Sequence, residues 1–196
     1  MPADWLLRVL ALVFTVHKKR RFLLIIAAKI YLLGINFGAV GFMKALIVCF
    51  SYHHKNTLKI ASVLANAIDA EVKTPSEADP NSLSSYDLVG FGSGIYYGRH
   101  GNALLEFVDK LPQATNKKAF IFSTSGQKKG AVTRLHLRLK ERLGSKGFDI
   151  VGEFNCPGLD TYGPFKIVGG INKGRPNGDD LKRAKEFAQS LKVKIT

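Results

Sequence analysis

Three short stretches of this chain carry the residue types that recognise a phosphate joined to a flat ring. The first is SYHHKNT, residues 51 to 57, which follows an apolar run over residues 44–50 and precedes a helical pattern. Ser51, His53, His54, Asn56 and Thr57 sit where a helix begins, and free N–H groups with the positive end of a helix dipole suit an anion. Lys55 and a protonated His54 would add positive charge beside a phosphate dianion. The second stretch is GSGIYYGRHG, residues 92 to 101. Its glycines Gly92, Gly94 and Gly98 let backbone approach a ring, Ser93 and Ile95 lie between them, and Tyr96 and Tyr97 are available for stacking. The third, STSGQKKG from residue 123, offers Ser123, Thr124, Ser125, Gly126 and Gln127, which are small hydroxyls, a glycine and a side-chain amide. Each stretch has a plainer reading as well. Asn56 can simply cap a helix, and of the two tyrosines one can be buried and the other a surface residue.

Something must bring these stretches together, and the pattern of the rest of the chain says what. Residues 44–50 form a strand-like apolar run, and Leu58, Ile60, Ala61, Leu64, Ala65 and Ile68 recur at helical spacing. A short strand over 70–74, a turn-rich linker over 75–87, a strand over 87–93 and a helix over 102–111 stopped by Pro112 follow. Then come a strand over 117–126, a helix over 131–143, a strand over 148–154, a long loop over 156–177, and a last helix marked by Leu181, Ala184, Ala188 and Leu191. Strand alternating with helix predicts an α/β fold, a doubly wound three-layer αβα sandwich. Its five-stranded parallel sheet should have the order 2-1-3-4-5, with a ligand at the carboxyl ends of the strands. In that arrangement the loops after the first, third and fourth strands meet above one edge.

Other chemistries find less support. His53 and His54 are adjacent and have no cysteine nearby, so no metal-ligand spacing is present. The glycines at 90, 92, 94 and 98 do not form G-x-G-x-x-G, and they do not follow the first strand. A phospho-accepting receiver domain would need an acidic cluster, whereas the first strand ends Cys49-Phe50-Ser51. No catalytic residue stands out, and Cys156 and Asp160 read as loop-packing residues.

With these motifs in order, residues 43–196 resemble the flavodoxin-like family of FMN proteins. SYHHKNT resembles the family's phosphate loop, usually Ser/Thr-x-Thr-Gly-Asn-Thr, with His54-Lys55 in place of Thr-Gly. GSGIYYG resembles its Gly-Ser-Pro-Ile-Tyr-x-Gly loop, FSTSG its third flavin loop, and CPGLDTYGPFKIVGGINKGRPN the C-terminal stretch of a bacterial and archaeal flavodoxin-domain subfamily. The resemblance implies FMN as cofactor. Ser51, His53, His54, Asn56 and Thr57 would hold its phosphate, and residues 92–98 and 123–127 would line its ring. It implies an electron carrier or a small flavin-dependent oxidoreductase. An NAD(P)H- or quinone-linked reductase, a relative of the flavodoxin-like protoporphyrinogen dehydrogenase, and a flavin-free binding module of the same fold stay open.

Charge bears on the partner. The chain carries 29 basic and 15 acidic side chains. Setting aside six basic residues and one acidic residue in 1–42 leaves 23 against 14. Flavodoxins as a family tend to be acidic, so the expected partner here is an acidic redox protein or an anionic donor such as NAD(P)H. On the helix after residue 131 the basic residues Arg134, Arg138, Lys140 and Arg142, with Lys128, Lys129 and Lys146, form a solvated face or a docking surface. No nucleic-acid motif is present, so none is expected as a partner; a homo-oligomer stays open. Two cysteines make no disulfide framework and favour a reduced, cytoplasmic setting. Residues 22–42 are apolar apart from Lys29 and follow HKKRR, so they are long enough to touch or cross a bilayer. We read residues 1–42 as an extension, arising from an upstream start or serving membrane association, and the working domain as beginning at Met43.

Overall fold

The computed structural model describes residues 43–126, 132–162, 165, 167 and 169–195. The expectation for residues 1–42 and the one for Gln127 lie outside them. The compact unit begins at Met43. Its elements are β1 (Ala45–Phe50), α1 (Asn56–Ile68), β2 (Ala70–Lys73), β3 (Leu88–Tyr96), β4 (Arg99–His100), α2 (Asn102–Asp109), β5 (Lys117–Ser125), α3 (Val132–Ser145), β6 (Phe148–Pro157) and α4 (Gly178–Ile195). A 3₁₀ turn, Pro80–Ser85, occupies the linker before β3. Among the described residues no helix is long and apolar enough to cross a membrane.

The sheet runs β2-β1-β3-β5-β6 with every neighbour parallel. This is the expected order, and the short antiparallel β4 is an addition. Alternation along each strand feeds two cores. Leu46 and Val48 of β1 pack with Leu104, Val108, Leu139 and Leu143 of α2 and α3. Ala45, Ile47 and Cys49 pack with Ile60, Leu64, Ala184 and Leu191 of α1 and α4. Both faces are therefore covered, which is why the strands read as continuous apolar runs.

Two glycines are needed by this packing. Gly90 and Gly92 pair with Phe120 and Phe122 of β5. A Cβ at Gly90 would lie 2.3 Å from the Phe120 ring, and one at Gly92 would lie 2.1 Å from the Phe122 ring. The rings occupy the room that side chains on β3 would take. Gly92 was expected to approach a ligand ring; the structure uses it for a phenylalanine instead.

Two other expectations change. Residues 99–100 read as loop but pair with β3, Ile95 with His100 and Tyr96 with Arg99. Tyr97 and Gly98 form the connecting turn with φ of 53° and 78°. Positive φ at both central residues is what a two-residue hairpin requires. β6 also extends to Pro157, so Cys156 is a buried strand residue and not part of a loop. Burial pushes the Cys49 and Cys156 thiols up to about 12, which leaves both inert near neutral pH.

Between β3, β5, β6 and α3 lies a buried polar network. Ser93 Oγ donates to Gly94 O at 2.8 Å and accepts from Gly101 N at 3.0 Å. Because that hydroxyl has one proton, His100 Nδ1, 2.9 Å away, must be the protonated nitrogen. His136 Nε2 meets Ser123 Oγ at 2.7 Å and its Nδ1 meets Glu153 at 3.1 Å. Lys140 completes the line at Glu153, 2.6 Å away. Ser93 and Ser123 are fully buried and take part in this network, not in the cleft described below. The arrangement Ser123–His136–Glu153 has the order of a nucleophilic triad. Its hydroxyl is sealed inside the protein and also accepts from Asn155 at 2.8 Å, so it is a structural clasp.

Two outcomes follow for stability. Gly92→Ala should cost about 1–3 kcal/mol by overpacking. In a Phe122→Leu background the same substitution should cost much less, a coupling that urea denaturation of the double-mutant cycle measures. The second concerns pH. Desolvation, with the neighbouring His136, lowers His100 to about 3. An unfolded histidine takes up its proton near 6.5, so its contribution to stability is complete above about pH 6.5 and declines as pH falls toward 3. The slope should reach about 1.4 kcal/mol per pH unit for this group. It should flatten by that amount in His100→Asn, which keeps a donor and does not titrate; an unchanged slope in urea titrations would rule out His100 as its source.

Candidate functional site

The three stretches converge at the carboxyl ends of β1, β3 and β5. They line a cleft of about 510 Å³ together with a fourth wall from residues 158–162. This volume falls in the range of small-molecule sites, and the cleft lies beside the point where the sheet order reverses.

The phosphate-type end is built by the turn between β1 and α1. His54 and Lys55 have φ of 50° and 52°, so two consecutive non-glycine residues are left-handed. Each such residue costs about 1–2 kcal/mol. Lys55 precedes the helix and makes no side-chain cap, so Asn56 does not play the capping role that its position permits. The first N–H groups of α1 thus have neither an intrahelical partner nor a side-chain cap. His53, His54, Asn56 and Thr57 line the cleft at this end. Thr57 is buried, and its hydroxyl bonds Thr124 Oγ1 at 2.8 Å, which ties the first loop to the third. Ser51 is half-buried and lies outside the cleft lining.

The aromatic end comes from the β3–β4 hairpin. Gly94, Ile95, Tyr96 and Tyr97 line the cleft, whereas Gly98 supplies only the turn. Tyr96 is half-buried; its ring stands edge-on to Phe50 at 6.3 Å and lies over Gly94, where a Cβ would come within 2.8 Å of the phenol oxygen. Burial raises its phenol above the usual value. Tyr97 is exposed and donates a 2.7 Å hydrogen bond to Tyr162 across the mouth. One tyrosine therefore braces the loop and the other faces solvent.

From β5, Thr124, Ser125 and Gly126 line the cleft. Ser125 Oγ is buried and has no hydrogen-bond partner among the described residues. A buried hydroxyl left unmatched costs free energy.

The sequence reading gave the fourth wall no ligand role. Gly158, Leu159, Asp160, Thr161 and Tyr162 all line the cleft. Leu159 O accepts from Asn56 Nδ2 at 2.9 Å, Thr161 Oγ1 bonds His54 Nε2 at 2.9 Å, and Gly158 N donates to Ser125 O at 2.9 Å. Asp160 packs against Gly126, where a Cβ would lie 2.3 Å from its carboxylate. It is the one carboxylate on the cleft wall among the described residues, and its Oδ1 accepts from Tyr162 N at 2.9 Å. The available signal was position: an Asp-Thr-Tyr run directly after the strand next to the third loop. Among the described residues no group of His, Cys, Asp and Glu could hold a metal ion.

Comparison with known proteins fits this geometry. The chain is 51% identical over 149 residues to an uncharacterized protein of Methanocaldococcus jannaschii, covering 76% of this chain and 98% of that one. Its fold is similar to a flavodoxin from the domain Archaea, at 18% identity and a TM-score of 0.58, over 78% of this chain and 99% of that one. It is also similar to oxidised Flavodoxin 2 from Bacillus cereus, at 18% identity and a TM-score of 0.59, over 77% and 99% of the two chains. The profile of the flavodoxin domain matches residues 47–158, which run from within β1 to the end of β6 and hold the first three cleft stretches, and the chain therefore belongs to the flavodoxin domain family.

Proposed function

We propose that the cleft binds FMN and that the protein carries electrons through it. The observation that carries this reading is the cleft itself, in which Ser125, a buried hydroxyl with no partner among the described residues, shares the lining with a helix N-terminus and an aromatic hairpin. The residues present suit the group. The open N–H groups of α1, with Thr57, His54 and Lys55, match a phosphate. Tyr97 and Tyr162 offer aromatic faces, and Ser125 and Asp160 offer a donor and an acceptor to the polar parts of the molecule.

When bound, FMN accepts and releases electrons singly or in pairs, and the protein supplies position and electrostatics. The chain's own contribution is mainly placement. The Thr57–Thr124 bond fixes the spacing of two loops, and the Ser93 hydroxyl holds the Gly94 carbonyl at the base of the hairpin. Asp160 places a negative charge on a wall otherwise lined by neutral groups and histidines. Both thiols are buried and unreactive near neutral pH, which leaves them no part in the chemistry.

The visible spectrum of the purified protein, followed by titration with FMN and with riboflavin, tests the reading. FMN should bind with the shifted absorption of a ring in a protein site. Thr57→Ala and His54→Gln should weaken FMN by about tenfold or more, and riboflavin by much less, because the lost interactions face the phosphate. Equal losses would overturn the assignment of that end of the cleft, and failure to bind either flavin would overturn the function. Lys55→Gly should relieve left-handed backbone strain and raise stability by about 0.5–1 kcal/mol while weakening FMN at low salt. Denaturation and FMN titration of the same variant separate the two effects.

A further inference from the structure

We propose that two adjacent residues of the fourth wall divide the ligand between them. Thr161 positions His54 at the phosphate end, and Tyr162 positions Tyr97 at the ring end. The naming of the two ends rests on the FMN reading; the two contacts themselves do not.

His54 and Tyr97 have the same difficulty. Each lies in a turn with left-handed backbone, at φ of 50° and 53°, and each side chain is exposed, that of Tyr97 at 80%. An exposed side chain on a turn moves among rotamers, and a group that samples several directions must be ordered before it can contact a ligand. Packing gives these rings little direction. The nearest ring to His54 among the described residues is His53, tilted and 6.4 Å away.

Each side chain is held instead by one hydroxyl from the far wall. Thr161 Oγ1 lies 2.9 Å from His54 Nε2, and the Tyr97 phenol donates to the Tyr162 oxygen at 2.7 Å. The Tyr97 and Tyr162 rings stand edge to face, 5.2 Å apart at 78°. The wall that supplies the two hydroxyls is itself braced. Asp160 pairs backbone to backbone with Ile171, its carboxylate accepts from Tyr162 N at 2.9 Å, and Leu159 O accepts from Asn56. Consecutive residues on a fixed backbone thus reach different loops, one the turn before α1 and the other the β3–β4 hairpin.

Each contact leaves one part of its partner for the ligand. The bond at Nε2 sets the His54 imidazole and leaves Nδ1 unused among the described residues. The Tyr97 phenol proton is committed to Tyr162, a bond that raises the phenol above its usual value, so Tyr97 offers the ligand its ring and not its hydroxyl. Freeing His54 therefore matters for a ligand that bears a phosphate, whereas freeing Tyr97 matters for any ligand with the ring. A wall that merely held the cleft together would treat both ligands alike at both positions.

Binding of FMN and of riboflavin to strap-wall variants tests this division, with urea denaturation to confirm that each variant folds. Thr161→Val keeps the shape and removes the hydroxyl; it should weaken FMN by about three- to tenfold and riboflavin by less than about twofold. Thr161→Ser should restore FMN affinity to within about twofold. In a His54→Ala background Thr161→Val should cost less than about twofold more, because it acts through His54. Tyr162→Phe should weaken FMN and riboflavin alike, by about two- to fivefold. Equal losses of both ligands in Thr161→Val, or riboflavin binding untouched by Tyr162→Phe, would overturn the division. Nuclear magnetic resonance of the flavin-free protein tests the contacts without a ligand. The His54 ring nitrogens should shift in Thr161→Val, and the Tyr97 phenol should titrate at lower pH in Tyr162→Phe; no change in either would overturn the proposal. Should neither flavin bind the wild type, inorganic phosphate is the probe. A shift of the His54 resonances by phosphate that is much reduced in Thr161→Val would overturn only the FMN reading, and equal shifts in the two proteins would overturn the role of Thr161 as well.

Discussion

Asn56 donates to the carbonyl of Leu159, His54 is bonded to Thr161, and Gly158 N–H is bonded to Ser125, so five residues after β6 touch two of the loops that would otherwise be separate. The cleft depends on this strap. Without it, the first loop would be held to the third only through Thr57 and Thr124. The strap in turn is fixed by its own closure, since Asp160 and Ile171 pair backbone to backbone and Asn172 reaches Gly126 and Gly158. Close approach explains two glycines here. Gly126 gives room to the Asp160 carboxylate and Gly158 to the Asn56 amide, where a Cβ would meet them at 2.3 and 2.9 Å.

Beneath the cleft, polar groups are handled in two ways. Ser93, Ser123, His100 and His136 sit behind the loops joined by hydrogen bonds, with His100 Nε2 the atom of this group left unmatched among the described residues, and burial lowers both histidines below the usual value. Ser125, two residues along the same strand from Ser123, is left unmatched on the cleft wall. The period of two along a strand puts both on one face, and both are buried; they differ in that Ser123 meets His136 and Asn155 whereas Ser125 Oγ meets no partner among the described residues.

Strain sits at the same end of the molecule. Among the described residues His54, Lys55 and Tyr97 are three of the six non-glycine residues with positive φ, and all three line or border the cleft. Residues held this way persist where the surrounding structure over-determines them. For Tyr97 the constraint is the two-residue hairpin with Gly98; for His54 it includes the bond to Thr161.

The sequence by itself determined the element order, the two-sided sheet and the convergence of three loops at one edge. It could do so because alternating burial, helical spacing and turn residues are local signals, and a parallel βα repeat leaves few ways to arrange the strands. It also singled out His53, His54, Asn56, Thr57, Gly94, Ile95, Tyr96, Tyr97, Thr124, Ser125 and Gly126, all of which line the cleft. Only the tertiary structure separated these from Gly92, Ser93 and Ser123. Those three have the same residue types, but the Phe122 ring and the buried histidines claim them. The strap was equally beyond sequence. It arises from contacts between residues about a hundred positions apart, such as His54 with Thr161, and no local pattern encodes which distant segment will complete a wall.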